Sequence, residues 1–549
     1  MKDALHKYDK SIRQNCDIRC NGEKIVNPFD EFYQLNHPFW ANTKDSEKNE
    51  GKGRILVFLN ESFRKPNYVI DTMLFAKKLQ EATGTSIVGV YYGEALGLNV
   101  KKILKSFEVS KIVHILKYNI VYGFFKVLPH IPSAFSCKDG DGLLKLNLNS
   151  IPIGECIYDT ILRSEVCLTI DKLTIKHKIY ILEYMFYFFM FSRLIKKLHA
   201  SYFIYRDCDY LKNAFIHSCK KLGIKIYELN RFGAVAHQET GYKRVPSLKI
   251  TYSRYNNFIS SPDYKKFTED VFQKHFSGKS EYPGFSVAYN NKRAYSKTDL
   301  IHMYGLSDDR PCILVASHAL SDSPHGGNFD MVFRDYYDWL VQTLIILSKN
   351  SQYNVFVKEH PESNKYGEQG SVEGMLSKKK LKGIYLIPED CDTRCLYDFM
   401  DCVITCCGTI GIEASCFGIP VITAAKGYYY GFGLDYNFSD YQSYENQLRN
   451  ISQLKKRPEI TEKAKDILAI MSFCTYSRKK TSIFPSDSFY NENNSLNDYE
   501  RISLINERMK NNCPKDDYYD TQLDNIVVLD DNDYPTNLSN NQNCLPEGL

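Results

Sequence analysis

Short apolar runs alternate with helix-like segments along the first half of the chain. GRILVFLN (Gly53 to Asn60) predicts a buried strand, and YVIDTMLFAKKLQEA after it has the spacing of a helix. SIVGVYYG and VKKILKSF repeat this order, and SYFIYRDCDY, LKNAFIHSCKKLG and IKIYEL resume it. Strands that alternate with helices predict a parallel sheet covered by helices on both faces.

The second half shows the same alternation more regularly. CILVAS, YNVFVKEHP, GIYLIP and CVIT are the predicted strands, and FRDYYDWLVQTLIILSKN between the first two is an amphipathic helix. Asp392 is placed to cap a short helix at DTRCLYDFM. This succession predicts a Rossmann-like unit, so the predicted fold class is α/β.

Polar and turn-forming stretches divide the chain into four predicted segments. Residues 1–50 are a polar, aperiodic extension, and residues 476–549 are rich in Asn and Asp, which predicts a mostly disordered tail with a short helix at YERISLINERM. A polar stretch from about Asn256 to Asp299 predicts the junction between the two core domains. We place those domains at residues 51–285 and 286–475.

Composition narrows the function classes only slightly. The 549 residues are 43% hydrophobic and 25% charged, as in ordinary globular proteins. Lys and Arg number 70 against 65 acidic residues, and a net charge of +5 does not favour a nucleic-acid partner. The opening stretch MKDALHKYDKSIRQNCDIRC lacks the apolar core of a signal peptide, which favours a cytoplasmic location.

The 17 cysteines favour free thiols in a reducing compartment over a disulfide scaffold, because the chain is long. Cys16 and Cys20 are separated by three residues, as are Cys391 and Cys395. Neither pair has the C-x-x-C spacing or the nearby histidines of a zinc site. We therefore expect no metal and no cofactor.

One segment, Ile179 to Leu198, raises the question of a membrane. Glu183 interrupts it, and Arg193, Lys196 and Lys197 close it, so its uncharged part is shorter than the ~20 residues that a span needs. The preferred interpretation is a buried helix that leads into the strand SYFIY. The alternative is a partly exposed aromatic and basic surface that rests on an anionic leaflet.

Familiar nucleotide motifs are missing from the sequence. There is no G-x-G-x-x-G after the first strand and no G-x-x-x-x-G-K-[ST]. Open α/β sheets bind ligands at the carboxyl ends of their strands, where Lys358, His360 and Pro361 leave the predicted strand YNVFVK. A lysine beside a histidine there suits an anion such as a diphosphate, and the alternative is a solvated polar turn.

The stretch CVITCCGTIGIEASCFGIPVITAA forms a second candidate at the same edge. Gly408 follows a strand, Thr409 is placed to cap the next helix, and the free N–H groups of that helix suit a phosphate. Glu413 lies about one turn into the helix, where it would reach a ribose hydroxyl or simply complement the helix dipole. For Cys406 and Cys407, small turn residues are a better interpretation than nucleophiles.

These motifs resemble a known family. VKEHP followed by T-x-x-G-T-I-G-I-E-A-x-x-x-G-I-P-V-I is similar to the donor-binding half of GT-B glycosyltransferases, and to the capsule-polysaccharide group that includes the bacterial β-Kdo transferases. The loop SHALSDSPHGGNFDMVFRDYYDWLVQTL also resembles that group, and the likeness covers about Cys312 to Gly433. It implies two Rossmann-like domains facing across a cleft, with residues 51–285 as acceptor domain and residues 286–475 as nucleotide-sugar donor domain.

The resemblance also implies roles for the donor-side residues. Lys358, His360 and Pro361 would frame the donor phosphate, while Thr409 and the start of its helix complete the site and Glu413 lies near the ribose. The chain departs from the group at CC in TCCGT, where relatives more often have Ser or Thr. That departure puts a hydroxyl contact to phosphate in doubt.

A third candidate is YRDCDYL, where the acceptor half of the family often has an Asp followed by a Tyr. Asp207 with Tyr210 matches this pattern, and Asp209 competes with Asp207. A carboxylate there would act as general base on an acceptor hydroxyl or as a covalent nucleophile. Helix capping is the alternative for either aspartate.

The long loop after the strand CILVAS contributes His318, Asp322 and His325, which are expected to line the same cleft. They would bind sugar or phosphate, or merely lie in a flexible loop. Asp322 with His325 is not a metal site by itself, and GT-B enzymes generally work without a bound metal.

The leading hypothesis is a GT-B glycosyltransferase that transfers a sugar, such as Kdo or another acidic sugar, to a growing capsule polysaccharide or lipopolysaccharide. Its partners would be a nucleotide-sugar donor and a glycan or glycolipid acceptor, and its location the cytoplasm with peripheral contact at the inner membrane. The alternatives are a sugar-nucleotide epimerase of the same build and a non-catalytic scaffold that binds nucleotide-sugars.

Overall fold

The computed structural model describes residues 27–41, 53–60, 65–109, 111–206, 208–230, 233–237, 241–242, 249–279, 287–327, 330–473, 496–511 and 528–529. The strands are β1 (Arg54–Leu59), β2 (Ser86–Tyr91), β3 (Lys111–His114), β4 (Asn147–Leu148), β5 (Ile151–Pro152), β6 (Ala200–Tyr205), β7 (Lys225–Asn230), β8 (Gly233–His237), β9 (Cys312–Ala316), β10 (Asn354–Lys358), β11 (Ile384–Leu386), β12 (Cys402–Thr405), β13 (Val421–Thr423), β14 (Tyr436–Asn437) and β15 (Val528–Leu529).

The helices follow in chain order. They are α1 (Pro28–Trp40), α2 (Pro66–Thr83), α3 (Leu98–Ser106), α4 (Ile115–Val127), α5 (Ile131–Ser136), α6 (Gly140–Leu144), α7 (Gly154–Glu165), α8 (Ile175–Lys197), α9 (Asn213–Lys221), α10 (Tyr252–Ile259), α11 (Tyr264–Phe276), α12 (Lys297–Tyr304), α13 (Tyr336–Ser348), α14 (Ser363–Tyr366), α15 (Ser371–Lys379), α16 (Thr393–Leu396), α17 (Ile410–Ser415), α18 (Tyr441–Arg449), α19 (Thr461–Phe473) and α20 (Asp498–Asn511).

The chain divides into two compact units. The first unit contains residues 1–113 and 479–520, and the second contains residues 114–478 and 521–549. Residue 285, predicted as a domain boundary, falls within the span of the second unit. The polar stretch predicted as a junction contains α11 and the start of α12, so part of it is regular structure.

In the first unit, β1 pairs in parallel with β2, and β3 follows on the other side of β2. Part of the extension predicted as aperiodic is in fact helix α1, whose side chains Phe29, Phe32 and Trp40 are buried. Their spacing is helical, but Asn36 shares the buried face and Pro38, a residue that disfavours helix, lies inside it, so the sequence gives only a weak helical pattern. The helix predicted at YERISLINERM is confirmed as α20, and most of the remaining tail lies outside the described residues.

The second unit contains a six-stranded sheet in the order β11-β10-β9-β12-β13-β14, and all of its pairs are parallel. Strands β9, β10 and β12 are buried throughout, as expected for a parallel sheet with helices on both faces. Strands β6 and β7 also pair in parallel, while β8 runs antiparallel to β7. The predicted α/β class with parallel sheets is confirmed.

The order of the six strands creates a ligand-binding edge. After β9 the chain crosses to β10 on one side, and it later returns to β12 on the other side of β9. The loops that leave these strands therefore diverge at a topological switch point, where doubly wound sheets leave a crevice for a ligand.

Helix α8 contains the apolar segment near Ile179, and most of its large apolar side chains are buried, although Ile179 itself is 55% exposed. It buries Tyr184, Met185, Phe188 and Phe191, among others, and leads into β6. No helix in the described part of the chain is both long and apolar enough to cross a membrane.

Candidate functional site

A cavity of about 490 Å³ lies at the carboxyl edge of the six-stranded sheet, where β9, β10 and β12 end. Its walls include most of the residues predicted from the sequence, namely Asp209, Tyr210, His318, Asp322, Lys358, His360, Pro361, Gly408, Thr409 and Glu413. His325 lines a smaller neighbouring cavity. Asp207 lies outside the described residues.

Lys358 is the last residue of β10, and its side chain is buried against the cavity. Its Nζ donates to the carbonyl oxygen of Cys391 at 3.1 Å, and among the described residues it forms no ion pair. Burial lowers the pKa of Lys358, because the ammonium loses its water. An ammonium has three donors, so this group can still bind an anion in the cavity.

His318 follows β9 and supplies a neutral donor. Its Nε2 accepts from the backbone N–H of Cys407 at 3.2 Å, so the neutral ring carries its proton on Nδ1. Burial, with a smaller effect from His360, lowers the pKa of His318 to about 3. The ring also stacks on Tyr336 at 4.3 Å, which fixes its orientation at the cavity wall.

His360 and Pro361 leave β10 directly after Lys358. The Nδ1 of His360 accepts from the N–H of Glu362 at 3.2 Å, so its neutral ring carries the proton on Nε2. Burial lowers the pKa of His360 as well. The two histidines that line the cavity thus each carry one N–H, while Lys358 brings a formal positive charge.

A hydrogen bond to a side chain of β12 stabilises the turn that follows this strand. The N–H of Gly408 donates to Thr405 Oγ1 at 3.2 Å, and a Cβ at this position would lie 2.7 Å from the same oxygen. Thr409 occupies the N-cap position of α17, but its side chain makes no capping hydrogen bond, so the predicted cap is wrong. Its backbone φ and ψ are already helical, whereas a capping side chain needs an extended residue.

Glu413 is buried in a cluster that the sequence analysis did not find. Its Oε2 accepts from the phenols of Tyr289 and Tyr397, both at 2.5 Å, and His275 Nε2 lies 3.2 Å from Oε1. Burial alone would raise the pKa of Glu413, but His275 and the two phenols outweigh it and leave the pKa below its usual value. The carboxylate thus holds three side chains while it borders the cavity; its ribose role stays a prediction.

The structure also brings Tyr210 and Asp322 together at the wall of the cavity. The phenol of Tyr210 donates to Asp322 Oδ1 at 2.9 Å, and burial together with Asp322 raises the pKa of Tyr366. Burial, together with Asp322, raises the pKa of Tyr210. Asp209 occupies the N-cap position of the 3-10 helix Tyr210–Lys212, but its side chain makes no capping hydrogen bond there. Helix capping, the alternative role for this residue, is therefore weakened.

His325 ties its loop to α7. Its Nδ1 lies 2.7 Å from Asp159 Oδ1, and its Nε2 lies 2.9 Å from the carbonyl oxygen of Arg334. Burial would lower the pKa of His325, but Asp159 outweighs it and raises the pKa. With both nitrogens engaged, His325 anchors the loop that carries Asp322, and sugar binding by its ring remains a prediction.

The cysteines of the TCCGT turn are buried, and burial raises the pKa of the Cys406 thiol well above its usual range. This agrees with the interpretation as small turn residues rather than nucleophiles. In the ranges that the structure describes, no group of three or more His, Cys, Asp or Glu side chains is placed to hold a metal. Cys16 and Cys20 lie outside those ranges.

A family comparison matches the region that forms this site. Residues 262–464 match the family described as "Capsule polysaccharide biosynthesis protein". The match includes α11, which carries His275, and the six-stranded sheet. It confirms the resemblance to the capsule-polysaccharide group indicated by the motifs. No curated protein matches the sequence significantly.

Solved structures resemble the chain distantly. The KpsC β-Kdo 2,4-transferase of Thermosulfurimonas dismutans aligns at 14% identity over 49% of this chain and 79% of its own, with a TM-score of 0.31. A glycosyltransferase of Rickettsia africae ESF-5 aligns at 13% over 84% and 100%, with a TM-score of 0.26. The UDP-GlcNAc 2-epimerase of Neisseria meningitidis, bound to UDP-GlcNAc, aligns at 12% over 77% and 96%, with a TM-score of 0.22. Likeness at this level carries no argument about activity.

Proposed function

We propose that this chain, whose residues 262–464 match the capsule polysaccharide biosynthesis family, is a glycosyltransferase that passes a sugar from a nucleotide-sugar donor to a growing surface polysaccharide. The observation that carries the proposal is Lys358, a buried ammonium at the wall of the cavity that forms no ion pair with the described residues. A buried charge without a counter-charge is costly unless a ligand supplies one.

The donor's phosphate is the natural counter-charge. Lys358 would pair with it, and the N–H groups of His318 and His360 would add hydrogen bonds. As the bond to the sugar breaks, negative charge grows on the departing nucleotide, and fixed donors in a buried site stabilise that charge without reorganising. The proposed sugar is Kdo or another acidic sugar.

The acceptor would be activated by a carboxylate at the wall of the same cavity. Asp209 borders the cavity there, and Asp207 precedes it by two residues. Either carboxylate would act as general base on an acceptor hydroxyl or as a nucleophile that forms a covalent intermediate. The Asp322 carboxylate already accepts from Tyr210, which favours a positioning role for this pair.

The acceptor is proposed to be a glycan or glycolipid, and the protein to act in the cytoplasm in peripheral contact with the inner membrane. We expect transfer to proceed without a bound metal, because Lys358 and the neighbouring N–H groups would meet the charge of the leaving nucleotide. Transfer that continues at full rate in excess chelator would support this expectation.

The decisive experiment is thermal stabilisation by a panel of CMP-, UDP- and GDP-sugars, followed by product analysis with and without acceptor. One nucleotide-sugar should stabilise the wild type and be consumed only when acceptor is present. Lys358→Met should strongly weaken both effects, while the exposed control Lys378→Met should keep both. Conversion of the donor without acceptor would instead show a sugar-nucleotide epimerase, and binding without turnover would show a scaffold.

A further inference from the structure

Helix α4 is apolar on two opposite sides. One side packs on α8, since a Cβ at Gly123 would lie only 2.6 Å from Met190 Cγ. The other side is open to solvent, and the exposed fractions there are 39–64%: Ile120, Val121, Phe124 and Phe125 of the helix, and Leu128 at its C-cap. Their spacing of one, three and four residues places them on one face of the helix.

This face continues onto neighbouring helices. Ile131 and Phe135 of α5 are exposed, as are Ile175 and Ile179 in the first turns of α8. Lys178 joins the two helices, because its Nζ donates to the carbonyl oxygen of Phe135 at 2.8 Å. We call these nine exposed side chains the apolar face. Single exposed hydrophobic residues are common, but a contiguous group of this size marks an interaction surface.

The surroundings of the apolar face are basic. Residues 115–138 and 172–199 carry nine Lys and Arg and the acidic residue Glu183. Asp139, Asp141 and Asp171 lie directly beyond these ranges, and Lys176 pairs with Glu165 at 3.2 Å, but an excess of positive charge remains although the whole chain has a net charge of only +5. Basic groups also lie over aromatic rings here. The guanidinium of Arg193 is 4.3 Å from the ring centroid of Tyr122, and Lys178 Nζ is 5.2 Å from that of Phe135.

We infer that the apolar face is a docking surface for a lipid bilayer that contains anionic lipids. Exposed Phe, Ile, Val and Leu side chains would enter the boundary between headgroups and acyl chains, while the surrounding lysines and arginines meet the phosphates. No helix among the described residues is suited to span a membrane, so the protein would lie on the leaflet rather than cross it.

Charge also favours a lipid bilayer over a second copy of the chain as the partner of the apolar face. A symmetric dimer would bring the same surface of both copies together, and each copy would present the same excess of positive charge. An anionic leaflet instead offers negative charge and an apolar layer in one partner. The charge of the face is thus complementary to a membrane and unfavourable for self-association.

The test is vesicle flotation with the full chain. Wild type should bind vesicles of phosphatidylcholine mixed with phosphatidylglycerol, and bind phosphatidylcholine alone much more weakly. The double variant Phe124→Ser with Phe125→Ser should lower the partition coefficient by about tenfold or more, because two aromatic side chains no longer enter the bilayer. Leu98→Ser is the matched control, since Leu98 is 78% exposed but lies on α3.

Two results would overturn the inference. One is equal binding of the wild type and the double variant to the mixed vesicles, or no binding of either. The other is a dimer of the wild type in light scattering that the double variant converts to a monomer. Neither readout involves sugar transfer, so the inference stands or falls independently of the proposed activity.

Discussion

Lys358 is buried and the side chain of His325, in the same unit, is only 12% exposed, but the charges of these two residues are balanced differently. His325 contacts the carboxylate of Asp159 and the carbonyl oxygen of Arg334. Lys358 contacts one carbonyl oxygen and forms no ion pair with described residues. A charge paired within the protein holds a loop in place, whereas a charge left unpaired at a cavity wall destabilises the empty protein and favours an anionic ligand.

The largest expected effect on stability comes from removing the carboxylate that pairs with His325. Asp159→Asn should lower the free energy of unfolding by about 3 kcal/mol, because it leaves a buried imidazole without its counter-charge. Urea denaturation measures this. Asp171→Asn is the control: that aspartate also meets a basic group, Arg334, but its side chain is 77% exposed, and its loss should hardly change stability. Equal losses in both variants would refute the distinction between the two pairs.

The same pair gives a pH dependence with a definite sign. The pKa of His325 is raised in the folded protein, so the pair contributes stability fully below the usual histidine pKa of 6.5. That contribution is lost as the pH rises through the raised value. Wild type should therefore lose stability across this range relative to Asp159→Asn, as measured by urea midpoints at several pH values. Parallel curves for the two proteins would contradict the assignment.

Removing the unpaired charge of Lys358 should have the opposite effect on stability. Lys358→Met should raise the free energy of unfolding by about 1 kcal/mol, since a buried ammonium is removed, and lower donor affinity by about a hundredfold. Calorimetric titration with the stabilising nucleotide-sugar measures the affinity. Lys378→Met should change neither quantity, and a destabilised Lys358→Met would show that the ammonium has a structural partner after all.

The pH dependence of donor affinity provides a second test of the role of Lys358. The pKa of Lys358 is lowered in the empty protein, and a bound phosphate would raise it again. Donor affinity of the wild type should therefore fall as the pH rises through the lowered pKa, because binding then requires uptake of a proton. Lys358→Met should lack this alkaline decline. An identical decline in both proteins would assign it to another group.

The difference between these regions also explains what the sequence could predict. Lys358, His360 and Gly408 follow directly from strand–helix alternation, because the carboxyl ends of parallel strands meet at one edge of a sheet. The contact between Asp159 and His325 joins residues far apart in the chain, and no local sequence pattern connects them. The sequence therefore located the edge of the sheet but not the contacts that order its loops.

Long-range contacts also explain why the sequence did not predict the cluster at Glu413. His275 and Tyr289 come from the polar stretch predicted as a junction, and both reach Glu413 through long-range contacts. A histidine in a polar stretch gives no local sign that it will be buried. The missed helix α1 is a different case: its buried positions include Asn36, whose polarity hides the apolar face.

A smaller effect is expected at Glu413, where the structure offers a structural role beside the predicted one. Glu413→Gln should cost about 2 kcal/mol of stability, because a charged acceptor of two phenols becomes neutral. Since the pKa of Glu413 is lowered, its contribution is present above the usual value of 4.5 and is lost as the pH falls through the folded value. Urea midpoints for the variant should thus depend less on acid pH. Tyr397→Phe is the control, as it removes one donor but keeps the carboxylate.

Donor affinity separates the two roles of Glu413. If the carboxylate contacts a ribose, Glu413→Gln should weaken binding while Tyr397→Phe leaves binding near the wild-type value. Loss of stability in both variants with unchanged donor affinity would assign Glu413 to the cluster alone.

The smallest effect is expected from a methyl group at the turn. Gly408→Ala would place a Cβ 2.7 Å from Thr405 Oγ1, so the turn that faces the cavity must shift. We expect donor affinity to fall about fivefold, roughly 1 kcal/mol, with little change in stability. Gly374→Ala is the control, because nothing lies within 4 Å of its Cβ and it sits in α15. That change should raise stability by about 0.5–1 kcal/mol through helix propensity and leave affinity unchanged. Calorimetric titration of both variants decides the point: if Gly408→Ala binds the donor as tightly as Gly374→Ala does, the turn tolerates a side chain and does not approach the phosphate.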